Sequence, residues 1–304
     1  MRVFHLAELS IRESAVLPAV LPEQGFVWIA LGRREFESMQ AEVQACLQQL
    51  CGTALVDLHL SDLLNNQLPS HYDYTTQYDL LVFRRLAQGR ADIEAEPSSQ
   101  PPGRVPRRGG PPVLRRIDTS PVGFALFDHL LLTVHPADCA VRDGYAARLL
   151  ALTASGQAEA AEPGRSAAMR FMPTSSGDLM LRLVSHMVDG YLELRRELTR
   201  QLDHWQAELL SPNSRFNNWS SLLEARLALH QLDEICEDQR SAIQDWIAAL
   251  NSWQPNGGGQ RELDLLRVRS RDVLEHIERV VHHVRRLEQS AEVAVQMHFN
   301  AQGH

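Results

Sequence analysis

The chain contains no lysine; all thirty of its basic residues are arginine. That absence removes Schiff-base catalysis and the lysine of a phosphate-binding loop. Cysteine is scarce and scattered, at Cys46, Cys51, Cys139 and Cys236, with no Cys-x-x-Cys pair. Zinc ribbons and dithiol redox motifs are therefore excluded, and a reducing cytosol is implied. No stretch stays apolar for the roughly eighteen residues that a membrane-spanning helix needs. Glu8, Arg12 and Glu13 interrupt the N-terminal segment, which is unlike a secretory signal. Gly-x-Ser-x-Gly, His-Glu-x-x-His and a glycine fingerprint after a strand are all missing, so the chain reads as a non-enzyme. A formal net charge of −8 argues against nucleic-acid partners, which require a basic surface.

What is present is a long helical seam near the C-terminus. From Arg261 onward, alternating steps of three and four meet Leu263, Leu266, Ser270, Val273, Ile277, Val280, Val284, Leu287, Ala291, Ala294 and His298. All but Ser270 and His298 are apolar, and neither Pro nor Gly intervenes before Gly303. A 3.5-residue repeat sustained over this length predicts a helix packed along other helices. Leu274, Val281 and Val295 widen the seam, which predicts more than one neighbour. At 1.5 Å per residue the helix would reach roughly 60 Å, so it reads as a stalk, an arm or an oligomerisation element.

The preceding chain divides in two. Strand-like runs at Val3–Leu6, Phe26–Leu31, Tyr78–Leu86, Val122–Leu126 and Leu130–Val134 alternate with amphipathic helices over 33–50, 56–66 and 138–152. The pattern predicts an α/β layered domain over residues 1–172. The Pro- and Gly-rich segment 97–112 and the small, polar segment 153–167 are expected to be loops. Residues 173–304 form a helical domain, with long helices over 177–210 and 221–253 joined by short connections to the stalk, 261–304. The short connections make the three helices antiparallel neighbours. The overall class is α+β.

Several side chains could bind metal. Asp272 has Glu275 and His276 at i+3 and i+4, a set of oxygen and nitrogen donors on one stalk face. Asp62, after Ser61, lies in or opens the short helix, where a capping or solvated carboxylate is the plain alternative. His135-Pro136-Ala137-Asp138-Cys139 has metal-capable groups, but a strand-end turn explains it as well. His282 and His283 are adjacent, so they face different sides of a helix. Glu234, Glu237 and Asp238 share one face of the second long helix and repel unless cations screen them.

Four segments together resemble the CorA family of divalent metal-ion transporters. Leu58-His59-Leu60-Ser61-Asp62-Leu63-Leu64-Asn65 followed by Tyr78-Asp79-Leu80-Leu81-Val82-Phe83 is similar to that family's short helix and following strand. Leu131-Leu132-Thr133-Val134-His135 is similar to its strand end, and Arg271-Asp272-Val273-Leu274-Glu275-His276 to its stalk. The order and spacing agree over essentially the whole chain.

The resemblance implies a homopentameric funnel with the stalks around its axis. It also implies a regulatory divalent ion, Mg2+, held between an aspartate on one subunit's stalk and an aspartate in the short helix of the next. The matching positions are Asp272 and Asp62; Ser61 stands where the family carries a further acidic residue. Family members run from the stalk into membrane helices ahead of which this chain stops, at His304. The expectation is a cytoplasmic sensing domain of an inner-membrane transporter in a bacterium. A zinc transporter of the ZntB type, with Zn2+ as the ion, is the alternative within the same architecture. A coiled-coil adaptor docking a partner helix is the alternative outside it.

Overall fold

The computed structural model describes residues 1–8, 10–87, 117–158, 170–211, 219–255 and 259–303. Its seven-stranded mixed sheet contains β1 (Arg2–Ala7), β2 (Ser10–Ser14), β3 (Phe26–Gly32), β4 (His71–Tyr74), β5 (Asp79–Leu86), β6 (Thr119–Phe127) and β7 (Leu130–His135). The spatial order is β2-β1-β3-β7-β6-β5-β4, and only β3 and β7 pair in parallel. Every residue of β3 and β7 is buried, as expected where both faces of a sheet are covered. Alternation sorts their side chains: Val27, Ile29 and Leu31 face one hydrophobic cluster, while Phe26, Trp28 and Ala30 face the other. β6 and β7 form the expected hairpin across Asp128 and His129.

The first face is covered by α1 (Arg33–Ser38), α2 (Gln40–Cys51) and α3 (Asp57–Leu64). One helix was expected over 33–50, but the chain breaks at Met39, whose φ of −104° and ψ of 15° leave the helical region. Ser38 Oγ donates to Glu35 O, and this side-chain competition for a backbone acceptor accompanies the break. Gly52, at φ 74°, supplies the left-handed cap that ends α2. Gly123 of β6 lets α3 lie close on the sheet, since a Cβ there would stand 2.3 Å from Leu63 Cδ2.

The second face carries α4 (Ala140–Ala158) and the long helices α5 (Ser176–Leu210), α6 (Trp219–Asn251) and α7 (Gln260–Gln302). α4 extends six residues beyond the expected boundary into the segment expected to be a loop; Thr153 Oγ1 bonds back to Leu149 O and Leu150 O. The rest of that segment and the whole of 97–112 lie outside the described residues. One hydrophobic cluster runs from Phe4 in β1 to Ala294 in α7, so sheet and long helices share a core. Tyr191 of α5 and Gln239 of α6 both donate to Arg84 O on β5, at 2.8 Å each.

All eleven seam positions of α7 are buried, and so is Val281 on the widened flank. Both neighbours belong to the same chain. Side-chain pairs run in step from Glu262–Ser175 to His298–Leu209, making α5 parallel to α7. From Trp246–Ser270 to Trp219–Phe299 they run in opposite order, making α6 antiparallel to it. The two polar seam positions are both spoken for. Ser270 Oγ accepts from Trp246 Nε1 at 2.9 Å, and His298 Nδ1 lies 3.0 Å from Leu209 O.

Candidate metal site

The short helix α3 and the edge strand β4 lie side by side and exchange two histidine–aspartate pairs. His59 and Asp62 are three residues apart on α3, and His71 and Asp73 are two apart on β4, so each pair shares a face. His59 Nε2 is 2.7 Å from Asp73 Oδ2, while its Nδ1 is 2.7 Å from the Tyr78 hydroxyl. Its side chain is 3% exposed and both ring nitrogens are engaged, so it braces α3 against β4 and β5. Burial opposes the Asp73 carboxylate, but the His59 hydrogen bond and the Tyr74 amide hold its pKa below the usual range.

Asp62 and His71 form the second pair, with Nε2 3.5 Å from Oδ2. Their side chains are 17% and 30% exposed, which leaves both reachable from solvent. Sequence reasoning picked out Asp62 and missed His71, whose strand was not foreseen. The alternating His-Tyr-Asp-Tyr of β4 was the one available signal.

On α7 the stalk set is looser. Asp272 is 61% exposed, and its Oδ1 lies 3.9 Å from His276 Nε2 one turn on. Glu275 is exposed beside them. Among the described residues, no three His, Cys, Asp or Glu side chains converge closely enough to hold a metal ion. Within one chain, then, Asp62, Asp272, Glu275 and His276 are not brought into a single ligand set.

The remaining candidates are structural. His135 is fully buried with Nε2 2.7 Å from Thr133 Oγ1, and burial among Arg142 and Arg85 pushes its pKa down to about 3. Asp138 pairs with Arg85, and Cys139 Sγ donates to Pro136 O. His282 is exposed, while His283 turns to Thr199 Oγ1 on α5, as adjacent helical positions require. The acidic face of α6 meets arginines: Arg285 of α7 reaches Asp233 at 3.1 Å and Glu237 at 2.5 Å. Burial, with Glu234 and Glu237 adding to it, still raises the Asp238 pKa.

A cavity of about 880 Å³ opens where the β4–β5 turn, the start of α5, the end of α6 and the start of α7 meet. Asp79 on its wall is pushed up to about 6 by burial, against the lowering effect of its hydrogen bond from Tyr72. Glu262 accepts from the hydroxyls of Thr174 and Ser175, tying the stalk to the start of α5. Asp178, buried in the first turn of α5, pairs with Arg182 and with Arg269 of the stalk.

Residues 23–302 match the CorA-like Mg2+ transporter protein family. The chain belongs to that family. It is a family of ion transporters, and the match runs through every element from the α1–β3 region to the end of the stalk. A search by sequence against curated proteins finds no match. Solved structures share the fold at low identity. The ZntB cytoplasmic domain from Vibrio parahaemolyticus is 12% identical, covering 100% of this chain and 98% of its own, with a TM-score of 0.60. The complete CorA magnesium transporter from Methanocaldococcus jannaschii is 11% identical, covering 99% of this chain and 77% of its own, with a TM-score of 0.64. The soluble domain of the same CorA is 12% identical, covering 97% and 95%, with a TM-score of 0.59. No helix among the described residues of this chain is long and apolar enough to cross a membrane.

Proposed function

We propose that this chain is the cytoplasmic, ion-sensing part of a CorA-type divalent cation transporter in a bacterial inner membrane. Its subunits assemble as a homopentamer and hold regulatory Mg2+ between Asp272 of one stalk and Asp62 of the next subunit, with Glu275 and His276 beside the ion. The observation carrying this reading is the position of Asp272. It stands on the face of α7 left outward once the seam is buried, and among the described residues of its own chain no third ligand converges on it. A neighbouring copy can add the missing carboxylate there, with water filling the remaining positions. Magnesium keeps several waters and takes one or two carboxylates, so two aspartates per interface suit it. Filling the interfaces favours the assembled state; emptying them leaves carboxylates facing one another and loosens it.

Calorimetry across a range of protein concentrations tests the reading. A site shared by two copies binds Mg2+ more tightly as the protein concentration rises, and Asp272→Ala abolishes that dependence. Binding that ignores protein concentration and survives Asp272→Ala contradicts it.

A second reading, Zn2+ as the ion in the manner of a ZntB-type transporter, draws support from the nitrogen donor of His71 beside Asp62. The adaptor reading loses its main support, because the seam offered to a partner helix is covered by α5 and α6.

A further inference from the structure

The cavity beside the start of the stalk gathers negative charge and leaves it unbalanced. The sequence has thirty arginines, yet among the described residues none that lines the cavity is arginine or histidine. Its carboxylates stand on two walls. Asp79, which opens β5, and Asp128, in the β6–β7 turn, belong to the sheet side. Asp245 of α6 and Glu262 of α7 belong to the helix side. Asp79 accepts from the Tyr72 hydroxyl, and Glu262 from those of Thr174 and Ser175, so the donors that meet them are neutral. Among the described residues, none of these four carboxylates pairs with a cationic side chain. Burial, with Asp128 adding to it, pushes Asp79 up to about 6, the mark of a carboxylate short of positive charge.

Aromatic rings share these walls. Tyr72 and Tyr74 stack with their centroids 6.2 Å apart, and Trp253 meets Trp246 edge-on at 5.4 Å. Tyr74 is 67% exposed, so its ring is open to a ligand. Such rings attract a cation over their faces and pack against methylene groups. The volume of about 880 Å³ suits a small molecule, whose sites span roughly 300–1,000 Å³. A bare metal ion does not match, because among the described residues no three His, Cys, Asp or Glu side chains converge closely enough to hold one. Carboxylates too dispersed for a single small ion suit a cation whose charges are spread along an apolar chain.

We propose that this cavity binds an aliphatic polyamine. One ammonium group is held by Asp79 and Asp128, another by Asp245 and Glu262, and the methylene groups between them pack on Tyr72, Tyr74 and Trp253. A ligand seated in this way ties the sheet to α6 and to the start of the stalk. The proposal does not rest on Mg2+ held between subunits, and it shares no residue with Asp62, Asp272, Glu275 and His276.

The test is calorimetry of the 304-residue chain with spermidine. Salt at about 0.15 M screens diffuse attraction to the net negative charge. One spermidine should bind per chain, and n-butylamine, with a single ammonium group, should bind at least about tenfold more weakly. Asp79→Asn should weaken spermidine by at least about tenfold, the scale of a hydrogen bond to a charged group. Asp245 and Tyr74 are exposed, so their variants should fold normally. Asp245→Asn should cost about two- to fivefold, as for an exposed ion pair, and Tyr74→Leu about the same through its lost ring face. Asp272→Ala should keep spermidine binding even where it loses Mg2+-dependent assembly, so failure of one reading is distinguishable from failure of the other. Several spermidines bound per chain, with equal affinity in wild type and all three cavity variants, would be diffuse attraction and overturns the proposal. So does n-butylamine binding as tightly as spermidine, or Mg2+ displacing spermidine one for one.

Discussion

Trp246 Nε1 on α6 donates to Ser270 Oγ on α7 across 2.9 Å, and Ser270 Oγ in turn donates to Leu266 O at 2.6 Å. Both side chains are fully buried, so this two-bond chain fixes the register of α6 on the stalk. Ser270→Ala leaves the indole N–H unpaired in the core and should lower stability by about 1–3 kcal/mol. Trp246→Phe in the Ser270→Ala background should recover part of that loss relative to additivity, measured by a double-mutant cycle in urea. Strict additivity would show that the bond contributes nothing to register.

Asp178 links the start of α5 to the stalk. Its carboxylate is buried and meets Arg182 at 3.0 Å and Arg269 across the helix interface. Asp178→Ala leaves two guanidinium groups without that partner and should cost about 3 kcal/mol, since breaking a buried pair exposes an uncompensated charge. Chemical denaturation of the variant checks this, and a loss below about 1 kcal/mol, the scale of an exposed pair, would contradict it.

Asp79 should make the protein more stable in mild acid. Its folded pKa is raised by burial to about 6, so the folded state takes up a proton that the unfolded chain does not until much lower pH. Stability from this group therefore rises as pH falls from about 7 towards 4, by at most about 3 kcal/mol. Asp79→Asn should flatten the rise in a pH series of thermal melts. An unchanged slope would show that Asp79 titrates normally.

Gly123 permits the close seat of α3 on the sheet, where a Cβ would meet Leu63. Gly123→Ala should push α3 outward, cost about 1–3 kcal/mol and weaken metal binding through Asp62. Unaltered metal affinity with lowered stability would show that α3 adjusts without moving the site.

The seam of α7 was legible because a 3.5-residue repeat reports burial directly, and each of its positions is buried, Ser270 and His298 included. The buried strands β3, β5, β6 and β7 showed as apolar runs. The two edge strands did not: Ser10–Ser14 and His71–Tyr74 are short and mostly polar, because an edge has solvent on one side. Periodicity also failed at Met39, where the apolar pattern continues through a break that the backbone makes locally. For the site, Asp62 and Asp272 were candidates from local spacing, and only the resemblance to family motifs paired them. His71 stayed hidden, since pairing a helix residue with one on an unseen strand needs the tertiary fold.

Sedimentation velocity of the chain with and without Mg2+, repeated for Asp62→Ala and Asp272→Ala, tests the central claim most directly. Ions held between subunits predict a Mg2+-dependent shift to a pentamer-sized species that both substitutions abolish. A sedimentation coefficient indifferent to Mg2+, or a shift that both variants keep, would contradict it.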